Sequence, residues 1–192
     1  MKNGIVGIDF DFTIAKPRCS FLSETERRLR LKSGTLKPMK KYGLSGYRRS
    51  VRNKIIEVFE DPLYMGDMQL LPFAGMFVDW LNNRGNTVYI VSARHEKVRN
   101  VTRRFITNRL AIDIRHIFFV NPFESKRDAF SALNLDCWID DNEIDIQTAV
   151  DLDIAAFHIV KTPWGENVVD GAKRVNGLYN IMDFFTKGEK DG

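Results

Sequence analysis

Five short apolar runs, separated by stretches of helical periodicity, constrain this chain more than any other feature. Residues 5–8, 87–91, 117–120, 137–139 and 154–160 each have the length and apolar character of a buried strand. Between them, residues 72–83 place Phe73, Met76, Phe77, Trp80 and Leu81 on one helical face and stop at Gly85. Residues 96–110 and 125–133 read as two further helices, and 144–150 as a third. Strands alternating with helices pair in parallel through right-handed crossovers, so an α/β fold with five parallel strands is expected.

Two of these runs end abruptly in acid. Ile5, Val6 and Ile8 are followed by Asp9-Phe10-Asp11-Phe12-Thr13. On an extended chain Asp9 and Asp11 point the same way, and like charges so placed repel unless a cation relieves them. The run Cys137-Trp138-Ile139 leads into Asp140-Asp141-Asn142-Glu143-Ile144-Asp145. Helix capping by Asp141 or Asn142 accounts for one carboxylate of this second cluster, not for three. Two parallel strands ending in acid bring Asp9, Asp11 and Asp141 to the carboxyl edge of the sheet, where open α/β sheets bind ligands. Oxygen donors with no His or Cys beside them select a hard cation such as Mg2+ rather than zinc. The run after Thr87 ends in Ser92-Ala93-Arg94, and Lys126 stands fourteen residues before Asp140. Taken singly, Ser92 reads as a turn residue, and Arg94 and Lys126 as solvated charges. Together they give the order acid pair, serine, lysine, acid pair.

That order resembles the haloacid dehalogenase-like hydrolase superfamily, whose signatures are D-x-D-x-T, a strand-end Ser or Thr, a Lys or Arg, and a strand-end acid pair. Asp9-Phe10-Asp11-Phe12-Thr13, Ser92, Lys126 and Asp140-Asp141 with Asp145 match them over residues 5–160, with Arg127 competing for the third position. The resemblance implies a Rossmann-like three-layer α/β/α core, residues 1–14 and 72–188, with a small helical cap, residues 15–71, inserted after the first strand. It implies a phosphoric monoester hydrolase with Asp9 as nucleophile and Asp11 as general acid and base. Phe10, Ser92, Ala93, Arg94 and Lys126 would bind phosphate. Mg2+ would sit on Asp9, the Asp11 carbonyl and Asp141. Thr13, Asp140 and Asp145 would support these groups.

Charge separates the two parts. Residues 16–54 carry thirteen Lys or Arg against two acids, a surplus of eleven, which leaves about seven net negative charges on the rest of a chain of formal charge +4. A basic insertion on an acidic core points to an anionic ligand. Within it, residues 46–59 and 23–32 read as helices. With 44% hydrophobic and 28% charged residues, no apolar run of about 18 residues and two isolated thiols, Cys19 and Cys137, a cytoplasmic globular protein without a membrane span is expected.

The stretches 59–64 and 71–75, with Thr162-Pro163-Trp164-Gly165-Glu166-Asn167 and residues 174–181, resemble the 5′(3′)-deoxyribonucleotidase group, although Phe12 stands where that group has glycine. Ser92-Ala93-Arg94 also resembles the phosphatase domain of polynucleotide kinases. The expected substrate is a small anionic phosphate ester, a (deoxy)nucleoside monophosphate first. Nucleic-acid ends bound through the basic cap are the alternative, and a non-enzymatic binding module comes last. Phe12, Phe21, Tyr42 and Tyr47 are candidates to stack a base, and Arg18 and Arg94 to meet phosphate. Oligomeric state is left open.

Overall fold

The computed structural model describes residues 3–36, 46–122, 124–160 and 169–188. The chain runs β1 (Ile5–Ile8), β2 (Ala15–Pro17), α1 (Phe21–Arg28), α2 (Arg49–Phe59), α3 (Pro62–Gly66), β3 (Met68–Leu70), α4 (Ala74–Asn83) and β4 (Thr87–Ala93). It continues through α5 (Glu96–Arg109), β5 (Ile117–Val120), α6 (Arg127–Leu133), β6 (Cys137–Asp140), α7 (Glu143–Val150), β7 (Ala155–Ile159), β8 (Lys173–Val175) and α8 (Leu178–Gly188).

Six strands form one parallel sheet in the order β5-β4-β1-β6-β7-β8. Five were expected from the apolar runs. The sixth, β8, is three residues long with two exposed cations and one buried valine, so it carries no apolar run to read. The order reverses beside β1: the chain builds outward through β4 and β5, then crosses back to lay β6 on the other side. That reversal puts the ends of β1 and β6 at the crevice where such sheets take ligands.

Strand alternation divides the core in two. Ile8, Ile90 and Ile139 pack with Phe77, Leu81 and Ile181 on one face of the sheet. On the other, Val91 and Trp138 pack with Phe130, Ile146 and Ala149. Each fully buried Leu, Ile or Phe here contributes roughly 1.5–3 kcal/mol of transfer free energy. Gly7 is required by this packing, because an added Cβ would lie 2.6 Å from Leu135 Cδ1 and 2.7 Å from Trp138 Cε3.

The insertion hangs from the antiparallel pair β2–β3, in which Ala15 faces Leu70 and Pro17 faces Met68. Its helices enclose an apolar cluster of Phe21, Leu22, Ile55, Val58, Tyr64 and Met65, closed from the core side by Val98 of α5. Phe21 lies against Phe59 with ring centroids 5.3 Å apart, and Tyr47 packs on the same cluster. Helix α1 starts earlier than residue 23, because the Ser20 side chain caps it by accepting from the Ser23 amide at 3.1 Å. Lys126 occupies the N-cap of α6 rather than its interior. Tyr42, residues 162–167 and the tail from 189 lie outside the described residues.

Candidate active site

Strand β1 ends at Ile8, but Asp9 still donates its amide to the Ile139 carbonyl at 2.9 Å and so stays beside β6. The chain then turns sharply. Phe12 takes a left-handed backbone (φ 61), and the amides of Ile14 and Ala15 both return to the Phe10 carbonyl, at 3.1 and 3.0 Å. Asp9 and Asp11 reach one cavity, but their carboxylates meet different cations.

Asp9 faces Lys126. The Lys126 ammonium lies 2.7 Å from Asp9 Oδ1, 2.9 Å from Asp140 Oδ2 and 2.9 Å from Asp145 Oδ2, so its three N–H donors have three carboxylates. It also stands 4.8 Å from the centroid of the Trp138 ring. All of these groups are buried. Burial opposes the charge on Lys126, yet Asp140, Asp9 and Asp145 together hold its pKa well above the ordinary lysine value. Arg127, the competing cation in the sequence, is exposed at the start of α6.

Negative charge exceeds positive here. The carboxylate oxygens of Asp9, Asp140 and Asp141 lie within 4.8 Å of one another. Burial, opposed by Lys126 and reinforced by Asp140, Asp11 and Asp141, drives the Asp9 pKa well above the usual carboxylate range. Burial does the same to Asp140, pushed up to about 6. An all-oxygen, buried donor set with surplus negative charge fits a hard divalent cation. Asp140 is already engaged by Lys126, by Trp138 Nε1 at 3.1 Å and by the Asn142 amide at 2.9 Å. Asp140 therefore anchors the cluster that Asp9 and Asp141 complete. Thr13 is fully buried and donates to Asp141 Oδ1 at 3.4 Å, so it supports Asp141 rather than Asp9.

Asp11 faces Arg94. The Arg94 guanidinium forks onto both Asp11 oxygens, with Nε at 2.8 Å, while its other terminal nitrogen donates to Thr102 Oγ1 at 2.6 Å. Its flat face stacks on Phe10, 4.7 Å from the ring centroid, and it is 2% exposed. The structure thus directs Arg94 to Asp11 rather than outward to a phosphate. The Phe10 ring is fully buried between Arg94 and Phe105, so only its main chain remains to meet a ligand. Arg18 pairs with Asp67 at 3.0 Å in the exposed part of the insertion.

A cavity of about 360 Å3 opens over this cluster, walled by Asp9, Asp11, Phe12, Ala93, Lys126 and Asp141 among others. Beside it, at the end of β4, the Ser92 hydroxyl is fully buried and has no hydrogen-bond partner among the described residues. Two groups escaped the sequence reading. Thr102 lies on α5 eight residues from Arg94 and showed nothing in its spacing. His158, fully buried on β7 in register with Asp140, lies against the Asp141 main chain, and burial pushes its pKa down. A histidine inside the apolar run 154–160 was the available signal.

No family model matches the chain, and no curated protein matches its sequence. Solved structures do match. A haloacid dehalogenase-like family hydrolase from Streptococcus pneumoniae superposes with a TM-score of 0.65 at 14% identity, over 95% of this chain and 98% of that one. A HAD family hydrolase from Deinococcus radiodurans, with bound phosphate and sodium, reaches 0.68 at 10% identity over 97% and 96%. A protein from Clostridium acetobutylicum described as a predicted phosphatase reaches 0.63 at 14% identity over 97% and 100%. The chain therefore has the Rossmann-like fold of the haloacid dehalogenase-like hydrolases. Among the described residues no helix is long and apolar enough to cross a membrane.

Proposed function

We propose that this protein is a magnesium-dependent phosphatase that hydrolyses a phosphate monoester, a (deoxy)nucleoside monophosphate first, through an aspartyl-phosphate. One observation carries the reading: Asp9, Asp140 and Asp141 converge beside a buried lysine at the point where strand order reverses. The predicted phosphatase and the phosphate-bound hydrolase among the neighbours support it by shared fold. Asp9 attacks phosphorus; a carboxylate–phosphorus bond forms as the ester oxygen departs with its electron pair. Asp11, turned by Arg94 toward the same cavity wall, gives that oxygen a proton and later takes one from water. Ser92 and the Ala93 amide hold the phosphoryl oxygens, and Lys126 balances the charge that gathers beside them. Asp9, the Asp11 carbonyl and Asp141 would hold Mg2+, which offsets the negative charge of phosphate. Residues 15–71 serve as the cap that shields the cavity and selects what enters it. The eleven-charge surplus of residues 16–54 favours a second reading, hydrolysis at nucleic-acid ends.

The test is a panel of phosphate monoesters with Mg2+. Phosphate release that vanishes in the folded Asp9→Asn variant is the expected result. A metal-loaded wild type inert toward every ester rejects the proposal. Turnover confined to oligonucleotides and falling steeply with salt selects the second reading.

A further inference from the structure

Two phenylalanines break local rules, and both line the same second cavity. Phe12 (φ 61) and Phe73 (φ 67) hold left-handed backbones, a region that bulky side chains rarely adopt. Phe73 also occupies the N-cap of α4 and makes no side-chain cap bond there, where Ser, Thr, Asp or Asn is favoured. Such conformations persist when the surroundings impose them, and they gather at ligand clamps.

The cavity measures about 560 Å3, within the range of small-molecule sites. Its walls include Phe12, Phe73, Tyr179, Lys16, Asn176 and Asn180. The Phe73 and Tyr179 rings lie 5.4 Å apart at 43°, yet 52% and 53% of these residues remain exposed. Two large aromatics held open to solvent beside two amides and a cation make a surface suited to a flat ring with a hydrogen-bonding edge. Phe12 walls the catalytic cavity as well, so the two spaces adjoin across this residue.

We propose that this second cavity is the subsite for the leaving group, and that it takes a planar heterocyclic ring, the base of a nucleotide, against Phe73 and Tyr179. The ring edge bonds to Asn176 and Asn180. The inference rests on the phosphatase reading and deepens it by assigning the part of the substrate that does not react. It also replaces the stacking candidates Phe21 and Tyr47, which pack on the apolar cluster of the insertion. A free mononucleotide and the terminal nucleotide of a strand present the same ring.

The experiment compares kcat and KM for a nucleoside 5′-monophosphate and for ribose 5-phosphate in the wild type, Tyr179→Ala and Phe73→Asn. The wild type should prefer the nucleotide by about tenfold or more in kcat/KM, and both variants should cut that preference at least about fivefold, through KM. Asparagine tolerates the left-handed backbone and caps a helix, so Phe73→Asn should melt at a higher temperature than the wild type while losing the preference. A structural role for Phe73 predicts the opposite melting shift. An unchanged preference in both variants, or equal losses on both esters, overturns the subsite. A 5′-phosphorylated oligonucleotide separates the sources: sensitivity of its turnover to the same variants extends the subsite to strand ends. If the wild type hydrolyses nothing, the phosphatase reading fails alone, and equilibrium dialysis with adenosine decides the subsite. Binding weakened about tenfold in Tyr179→Ala upholds it, and no binding to the wild type ends it.

Discussion

Two buried cations stand at this site and do different things. Lys126 is a compact charge shared among Asp9, Asp140 and Asp145, and Asp141 adds a further carboxylate to the group. Arg94 is a planar fork spent on one carboxylate, one hydroxyl and one ring face. The lysine neighbourhood is left negative and open to another cation. The arginine neighbourhood closes on itself. Lysine suits the first because its three donors rotate freely, and arginine suits the second because its donors are fixed in a plane. The lesson is that the two aspartates of one D-x-D motif are prepared separately: Asp9 by charge, Asp11 by orientation.

The comparison breaks most visibly at Lys126. Lys126→Met leaves three buried carboxylates without their cation and should cost about 3–5 kcal/mol, roughly 10 °C in a thermal melt of a chain this size. Retention of the wild-type melting temperature would show that the carboxylates are not held by the lysine.

Arg94→Lys keeps the charge and removes the fork. Turnover should fall about 10- to 100-fold with KM little changed, because Asp11 is misplaced rather than lost. Esters of poor leaving groups should suffer more than aryl esters, since they depend on protonation. Equal losses on all esters would assign Arg94 to phosphate binding instead.

The third test uses pH. The Asp140 pKa is raised to about 6, above its value of about 4 in an unfolded chain, so folding favours its protonated form. That contribution is complete below about pH 4 and is lost as pH rises from about 4 to about 6. Metal-free protein should therefore lose melting temperature from this group across that window. Magnesium should restore more of it at pH 7.5 than at pH 5. A magnesium shift independent of pH would contradict the charge surplus assigned to the Lys126 side.

The smallest effect sharpens the Arg94 side. Thr102→Val removes one acceptor from the guanidinium and should cost about 1 kcal/mol, with a severalfold loss of kcat. Activity unchanged beside a lowered melting temperature would reduce Thr102 to a structural contact.

Much of this was legible in the chain because it is written locally. Apolar runs ending in acid mark β1 and β6 and the acids that follow them, and the periodicity of residues 72–83 anticipates α4. What escaped depends on distant partners. Asp11 and Arg94 are 83 residues apart, and nothing in the spacing tells whether that arginine meets phosphate or carboxylate. The choice between Lys126 and Arg127 turns on where α6 begins, a matter of one residue. Phe12 and Phe73 were unreadable for another reason: their left-handed backbones contradict local preference, and only the tertiary structure imposes them. β8 escaped because its alternation is exposed, exposed, buried over three residues.

The β2–β3 pairing has an evolutionary consequence. Since Ala15 and Leu70 face each other, the chain leaves and re-enters the core through a doorway one rung wide. Among the described residues, nothing between those two contributes a strand to the large sheet, and lengthening a connection costs entropy only slowly. The insertion is thus an exchangeable fitting: natural selection can rebuild it, enlarge it or trim it, while the buried carboxylates and their lysine stay where they stand.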